Sequence, residues 1–300
     1  LSKLRSQVFE GMAIGGSIIT MAAVIMTLAW SNTPLFLNSA IFRVQRPGDK
    51  LVDYTEGIDA SITTLKDDAG VYRLYVDTNQ AADASRWDSP SHRVIAHLPL
   101  LLHPAPRSAL VVGFGMGLTS HSITQHGVKI DAIEISEGVI KAAKNHFTPI
   151  NNNVFENPLF NYQINDGRNY ILMTEKRYDM ISTGIIHPLV SAGSSNIYTA
   201  DFYQLCKRIL NDDGIMCQWV PLHRMPEDHL KMVVRTFIQV FPHTTLWYKF
   251  TPDFIILIGT NQKLKINYKD FMARSNIPSI RQGLEFDNLD GMSLLDAFMM

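Results

Sequence analysis

The chain has 300 residues, 46% of them hydrophobic and 18% charged, with 27 Lys and Arg set against 28 Asp and Glu for a formal net charge of −1. That length is enough for one large or two smaller domains with a real core, and the near-neutral balance argues against nucleic acid as a partner. The two cysteines, Cys206 and Cys217, make neither a disulfide framework nor a metal-binding spacing and read as structural thiols of a reducing compartment.

Residues 12–30, "MAIGGSIITMAAVIMTLAW", carry no charge. About 19 apolar residues come close to the length that crosses a hydrocarbon core, and Trp30 sits where an interfacial anchor belongs. A transmembrane helix is expected here, with residues 1–38 as the membrane anchor. A cleaved signal peptide fits less well, because the run is long and no A-x-A-like site follows. A buried core helix of this length seldom lacks a polar face. Lys3 and Arg5 on one side and Arg43, Arg46 and Lys50 on the other leave the orientation open. With Leu1 as its first residue, the segment reads as the last span of a longer membrane protein.

Residues 39–105 are expected to form a small β domain and a linking helix. "FRVQ", "KLVDYTEG", "DASITTLKD" and "YRLYVDTNQ" have strand composition, with turn chemistry at Asp67-Asp68-Ala69-Gly70. "HRVIAHLPLLL" begins as a helix at His92 and stops near Pro104 and Pro106.

From residue 106 to 300 strands and helices alternate. "SALVVGFG", "KIDAIEIS", "FNYQIND", "YDMISTG" and "IMCQWVP" read as strands. Residues 117–126, 137–146, a short stretch near Tyr170, "ADFYQLCKRIL" up to Asp213-Gly214, and 226–241 read as helices. "TTLWYKF" and "FIILIGT" are joined by so short a link that they must pair antiparallel. The expected fold is α/β: a mostly parallel, doubly wound, methyltransferase-like sheet with an antiparallel final strand.

The stretch "ALVVGFGMGL" places Gly113, Gly115 and Gly117 directly after a strand. Such glycines let the backbone turn with positive φ and let a ligand approach the main chain. Glu134 ends the next strand about 20 residues on, where a carboxylate accepts from ribose hydroxyls. Asp166-Gly167 ends the third strand, where an acid accepts from an exocyclic amine such as that of adenine. Together they point to an adenosine pocket. A ligand-free tight turn for the glycines, and capping or loop roles for the two acids, stay open. The third glycine comes one residue earlier than in G-x-G-x-x-G, which favours S-adenosylmethionine or a relative over NAD.

These residues, with "AHLPLLLHPAPRSALVVGFGMG", "IEIS", "NDGRNYI", "YDMI", "HP", "IYTADFYQLCKRIL" and "GIMCQW", resemble the spermidine synthase (polyamine aminopropyltransferase) family over about residues 51–260, and more closely its membrane-fused branch. The resemblance implies a small β domain before a methyltransferase-like domain. It also implies transfer of an aminopropyl group from decarboxylated S-adenosylmethionine to an amine. It assigns Gly113, Gly115, Gly117, Glu134, Asp166 and Gly167 to the nucleoside and Gln80 to the substrate cleft. The family's loop reads G-G-G-D-G, and Met116 stands at its acid. Its D-S-S-D-P segment falls on "GIIHP", with Gly184 and His187 at the two acids. Its Y-H-E falls on Ser91, His92 and Arg93.

A polycation needs carboxylates near it, and an attacking amine must lose a proton. His187 is the candidate base, with a loop histidine held before Pro188 as the other reading. Asp201 reads as a helix N-terminal residue. The other histidines show no metal-ligand spacing, so no metal is expected. The ligand expected is S-adenosylmethionine, its decarboxylated form or methylthioadenosine, with no tightly held cofactor. The expected place is an inner or plasma membrane, with the soluble domain cytoplasmic and with membrane-protein subunits or a second copy as partner. Two alternatives stand beside aminopropyl transfer: a non-catalytic subunit that keeps the fold, and a transferase with a less cationic acceptor.

Overall fold

The computed structural model describes residues 17–27, 46–85, 89–189 and 193–300, in two units that meet between Pro47 and Gly48. In the first unit residues 17–27 are helical. Ile18, Ile19, Met21, Val24, Ile25 and Met26 are all exposed there. Among the described residues no helix is long and apolar enough to cross a membrane. The remainder of the expected span 12–30 lies outside the described residues, as does the expected strand "FRVQ".

The second unit begins with an antiparallel sheet in the order β1 (Lys50–Glu56), β2 (Ser61–Lys66), β3 (Tyr72–Val76) and β4 (Asn79–Asp83). The single strand expected over "YRLYVDTNQ" is two. Val76 pairs with Asn79 across Asp77-Thr78, and Asp77 takes a left-handed φ of 52°. A short polar side chain tolerates that conformation. Its Oδ1 accepts from the Ser61 N–H at 2.9 Å, which ties the turn to β2.

The larger sheet is built from β5 (Ser108–Val112), β6 (Lys129–Glu134), β7 (Phe160–Ile164), β8 (Tyr178–Thr183), β9 (Leu210–Pro221), β10 (His243–Trp247) and β11 (Phe254–Thr260), in the order β10-β11-β9-β8-β5-β6-β7. The final strand is antiparallel, as expected, but it is not an edge. β11 inserts between β9 and β10 and runs against both. Its sequence explains this: every residue of "FIILIGT" is buried, as an interior strand requires.

One face of this sheet carries the amphipathic helices Ala200–Ile209 and Glu227–Val240, whose Phe202, Tyr203, Cys206 and Phe237 pack on Leu110, Ile181, Met216 and Leu257. The first of them stops at Ile209, not at Asp213 as expected. Leu210 already pairs with Tyr178, and the register then shifts before Met180, so Asn211–Asp213 belong to an irregular start of β9.

The linking helix expected from His92 runs from Ser89 to Leu102. Every residue in it except Arg93 is buried, so it has to be covered on all sides. Val94, Ile95, Leu98, Leu101 and Leu102 pack against Ile215, Cys217 and Trp219 of β9 and Ile256 and Ile258 of β11. The outer cover comes from Phe271, Ile280, Leu284 and Leu294, on the helices Tyr268–Ser275, Pro278–Phe286 and Gly291–Asp296, which sequence periodicity did not reveal. Arg93 leaves this core and grips both oxygens of Asp287, at 2.9 and 3.0 Å.

On the same layer His97 Nδ1 meets His126 Nε2 at 2.9 Å. Burial, first, holds both imidazoles below their ordinary range, His126 at about 3. The cations Arg93 beside His97 and Arg274 beside His126 act in the same direction. Between the unfolded pKa near 6.5 and these depressed folded values the unfolded chain alone takes up the protons. Stability is therefore undiminished above about pH 6.5 and is lost as pH falls below it, by up to about 1.4 kcal/mol per pH unit for each histidine. Denaturant unfolding between pH 7.5 and 5 is expected to show this slope, and the His97→Gln/His126→Gln double variant a shallower one.

Candidate functional site

β5 ends at Val112, and the chain turns through Gly113, Gly115 and Gly117 with φ of 89°, 57° and 86°. The values at Gly113 and Gly117 favour glycine alone, whereas the 57° of Gly115 is one that Asn also adopts. The three differ in what surrounds them. A Cβ on Gly117 would lie 2.6 Å from the Phe114 ring, and one on Gly113 would lie 3.0 Å from Ile186 Cδ1. A Cβ on Gly115 would meet no atom within 4 Å. Gly113 and Gly117 are thus small because the fold presses on them, and Gly115 faces open space.

Glu134 organises this loop. It is buried, 6% exposed. Its Oε2 accepts from the Phe114 N–H at 2.8 Å and its Oε1 from the Ser136 N–H at 3.0 Å. Burial raises its pKa, while the N–H groups of Phe114, Ser136, Gly115 and Ile135 oppose that by stabilising the carboxylate. The next residue, Ile135, is 59% exposed. An apolar side chain left in water beside a buried acid at a strand end offers a face for a flat ring. The sequence reading passed over it, although its signal was visible as the apolar residue in "IEIS".

Asp166 caps the helix Gly167–Met173, its Oδ1 accepting from the Asn169 N–H at 2.8 Å. This is the capping role left open by the sequence. Gly167 sits against β5, where a Cβ would lie 2.4 Å from Val112 Cγ1. The Gly184 N–H donates to the Val112 carbonyl at 2.7 Å, and a Cβ there would lie 3.0 Å from the Gly113 carbonyl oxygen. The ends of β5, β6 and β8 and the helix after β7 therefore converge on the glycine loop.

The residues at the resemblance's acid positions have structural roles. Met116 is fully buried and packs with Ile62, Leu74 and Ala82 of the small sheet and with Val139, Ala142 and Phe147. His187 uses both ring nitrogens: Nδ1 accepts from the Leu189 N–H at 3.1 Å, and Nε2 faces the His223 carbonyl at 3.0 Å. Together these contacts select the Nε2–H tautomer. Burial, first, holds its pKa below the ordinary value. The expected general base is thereby tied to backbone at both nitrogens. Tyr198 adds a second tie, its hydroxyl lying 2.7 Å from the Ile186 carbonyl and 3.0 Å from that of Trp219.

Gln80 is exposed on β4 and receives the Tyr75 hydroxyl at 3.4 Å. His92 lies buried, its Nδ1 3.3 Å from Thr119 Oγ1. Asp201 is in the first turn of its helix. Far along the chain, His103, Asp179 and Asp213 gather with ligand atoms within 4.8 Å of one another. His103 Nδ1 accepts from the Ala105 N–H, which puts the proton on Nε2. Asp179 accepts from Arg107, Ser108 and Asn211. His103 Nε2 lies 3.6 Å from Asp213 Oδ1.

Residues 89–265 match the spermine/spermidine synthase domain, which is more than half of the chain. The chain belongs to the spermine/spermidine synthase family. It is similar to the polyamine aminopropyltransferase of Methanocaldococcus jannaschii, 36% identical over 129 residues, covering 42% of this chain and 43% of that protein. It is also similar to that of Erwinia tasmaniensis, 29% identical over 169 residues, covering 56% and 58%. The chain thus spans about half the length of the curated relatives it matches. In fold it is similar to the spermidine synthase from Thermotoga maritima, with a TM-score of 0.67 at 21% identity over 84% of both chains. It is also similar to human methyltransferase-like protein 13 in complex with SAH, with a TM-score of 0.53 at 20% identity over 65% of this chain and 92% of that one. The family and the methyltransferase-like sheet agree with the resemblance read from the glycine loop and "IEIS".

Within this spermidine synthase frame, the packing of Met116 and Gly167 is testable. Met116→Asp puts an unpaired carboxylate into an apolar cluster and is expected to cost about 3 kcal/mol or more, read as a lower denaturant midpoint. Gly167→Ala is expected to destabilise by about 1–3 kcal/mol through overpacking. Adding Val112→Ala should recover part of that loss, because it removes the atom the new methyl strikes.

Proposed function

We propose that the chain binds an S-adenosyl nucleoside along the carboxyl ends of β5, β6 and β7, and transfers an aminopropyl group from decarboxylated S-adenosylmethionine to an amine. The observation that carries this reading is the open space over Gly115 beside the buried Glu134 and the exposed Ile135. In a doubly wound sheet that edge is where ligands lie. Glu134 would turn toward the ribose hydroxyls, Ile135 would lie against the base, and Asp166 would receive the exocyclic amine. The names of the aminopropyltransferase relatives support the donor class.

The transfer joins the acceptor nitrogen to the carbon beside the sulfonium. The carbon–sulfur pair returns to sulfur, and methylthioadenosine leaves as a neutral thioether. The protein's part is mainly to align donor and acceptor. With both nitrogens of His187 on backbone, the nitrogen's proton leaves to water, and His187 holds the loop in register. The same observation favours a second reading, a non-catalytic subunit that retains the nucleoside pocket. We also propose that residues 12–30 attach the chain to a membrane, which the exposed apolar side chains of 17–27 support.

Titration calorimetry with methylthioadenosine tests the pocket. Wild type is expected to bind. Gly115→Asn, which fills the open space with the residue best suited to a left-handed φ, is expected to weaken binding at least about tenfold, or about 1.4 kcal/mol, with little loss of stability. No heat from the wild type would overturn the nucleoside reading. Binding without methylthioadenosine release from the decarboxylated donor would select the non-catalytic one.

A further inference from the structure

Three asparagines in a row, Asn151, Asn152 and Asn153, lie between the helix Glu137–His146 and β7. Their roles differ. Asn152 and Asn153 take left-handed φ values of 48° and 52°, which Asn tolerates better than most residues, and they end the short helix Thr148–Asn151. Asn151 is still helical, its N–H donating to the Phe147 carbonyl at 2.9 Å. Its side chain is fully buried.

That side chain reaches the glycine loop. Its Nδ2 donates to the Met116 carbonyl at 2.9 Å and to the Ala143 carbonyl at 3.4 Å. Its Oδ1 is buried with no hydrogen-bond partner. A buried amide that leaves one atom unpaired contributes little to stability, because the orphaned oxygen has lost its water. An apolar side chain of similar size would fill the space without that cost. The asparagine is explained instead by what its donor fixes.

The Met116–Gly117 peptide is held at both ends. The Gly117 N–H donates to the Phe114 carbonyl at 3.0 Å, closing a turn whose first central residue is Gly115. The Met116 carbonyl receives the Asn151 amide. Gly117 has a φ of 86°, and glycine takes positive and negative φ about equally well, so the residue at 117 does not itself resist rotation of this peptide. The buried Met116 side chain anchors its own residue in the apolar cluster, and the two hydrogen bonds set how the peptide is turned. Rotation would open the turn and displace Gly115, the loop glycine that faces open space.

Resting on the nucleoside reading above, we infer that Asn151 is a positioning residue for the adenosyl ligand: its amide fixes the Met116–Gly117 peptide and thereby holds the Gly115 face in the form that binds. Being fully buried, it acts through the loop and not by touching the ligand.

The test titrates the full chain with methylthioadenosine by calorimetry, as wild type and as Asn151→Leu, which removes the donor and keeps water out. Denaturant midpoints and amide hydrogen exchange are read on the same preparations. Asn151→Leu is expected to raise the Kd at least about tenfold at a midpoint near that of wild type. In the ligand-free variant, exchange at the Gly117 N–H should quicken while that of the β5 amides stays as in wild type. Asn151→Ala carries the same expectation and serves if leucine is not accommodated. A smaller change in Kd, exchange that quickens as much in β5 as in the loop, or loss of the fold in both variants would overturn the inference. No heat from the wild type condemns the nucleoside reading itself, whereas wild-type binding with any of those three results condemns only the role of Asn151.

Discussion

The site depends on one buried carboxylate. Glu134 closes β6 and holds the turn after β5 by accepting main-chain N–H groups from Phe114 and Ser136. A carboxylate removed from water is tolerable only when its oxygens are filled in this way. Once filled, it fixes where the glycine loop runs. Everything else at the carboxyl edge is fitted around that loop: Gly167 lies against Val112, Gly184 against the Gly113 carbonyl, and Ile186 over Gly113. Side chains larger than hydrogen at these places would separate the strand ends, so much of the glycine pattern records close packing of the protein on itself. Gly115 alone of the loop's three glycines is free of that explanation.

Met116 connects this loop to the small sheet. Its side chain enters the cluster of Ile62, Leu74 and Ala82, so the antiparallel sheet is seated directly on the glycine turn. A buried thioether contributes dispersion and apolar burial where an acid would have to be charged and solvated or neutral and unpaired. The loop is therefore held from both ends, by a carboxylate beneath it and by an apolar side chain on its far side. His187 and Tyr198 do the same for the opposite loop, tying it to the His223 and Trp219 carbonyls. Polar groups that the eye assigns to catalysis are here engaged in holding backbone.

The parallel core was legible because it depends on local pattern. Strand runs such as "ALVV" and "YDMIST" alternate with amphipathic helices, and the short β10–β11 link dictates their antiparallel pairing. The glycines and acids of the carboxyl edge were legible for a similar reason, since such residues at strand ends fall at intervals that topology repeats. Less legible were the three C-terminal helices and the place of the helix Ser89–Leu102. An element apolar on nearly every side has no periodicity to show which neighbours will cover it.

The sequence by itself determined the α/β alternation, the family, and the convergence of Gly113, Gly115, Gly117, Glu134, Asp166 and Gly167 on one edge, because each follows from short-range backbone preference and strand order. Only the tertiary structure decided that Met116 is core, that both nitrogens of His187 face backbone, and that Arg93 is held by Asp287. Those outcomes depend on partners far away in the chain, Ile62 for Met116 and Asp287 for Arg93. A side chain's chemistry at a site is set by which neighbours fill its donors, acceptors and surface, and that is settled only when the chain has closed.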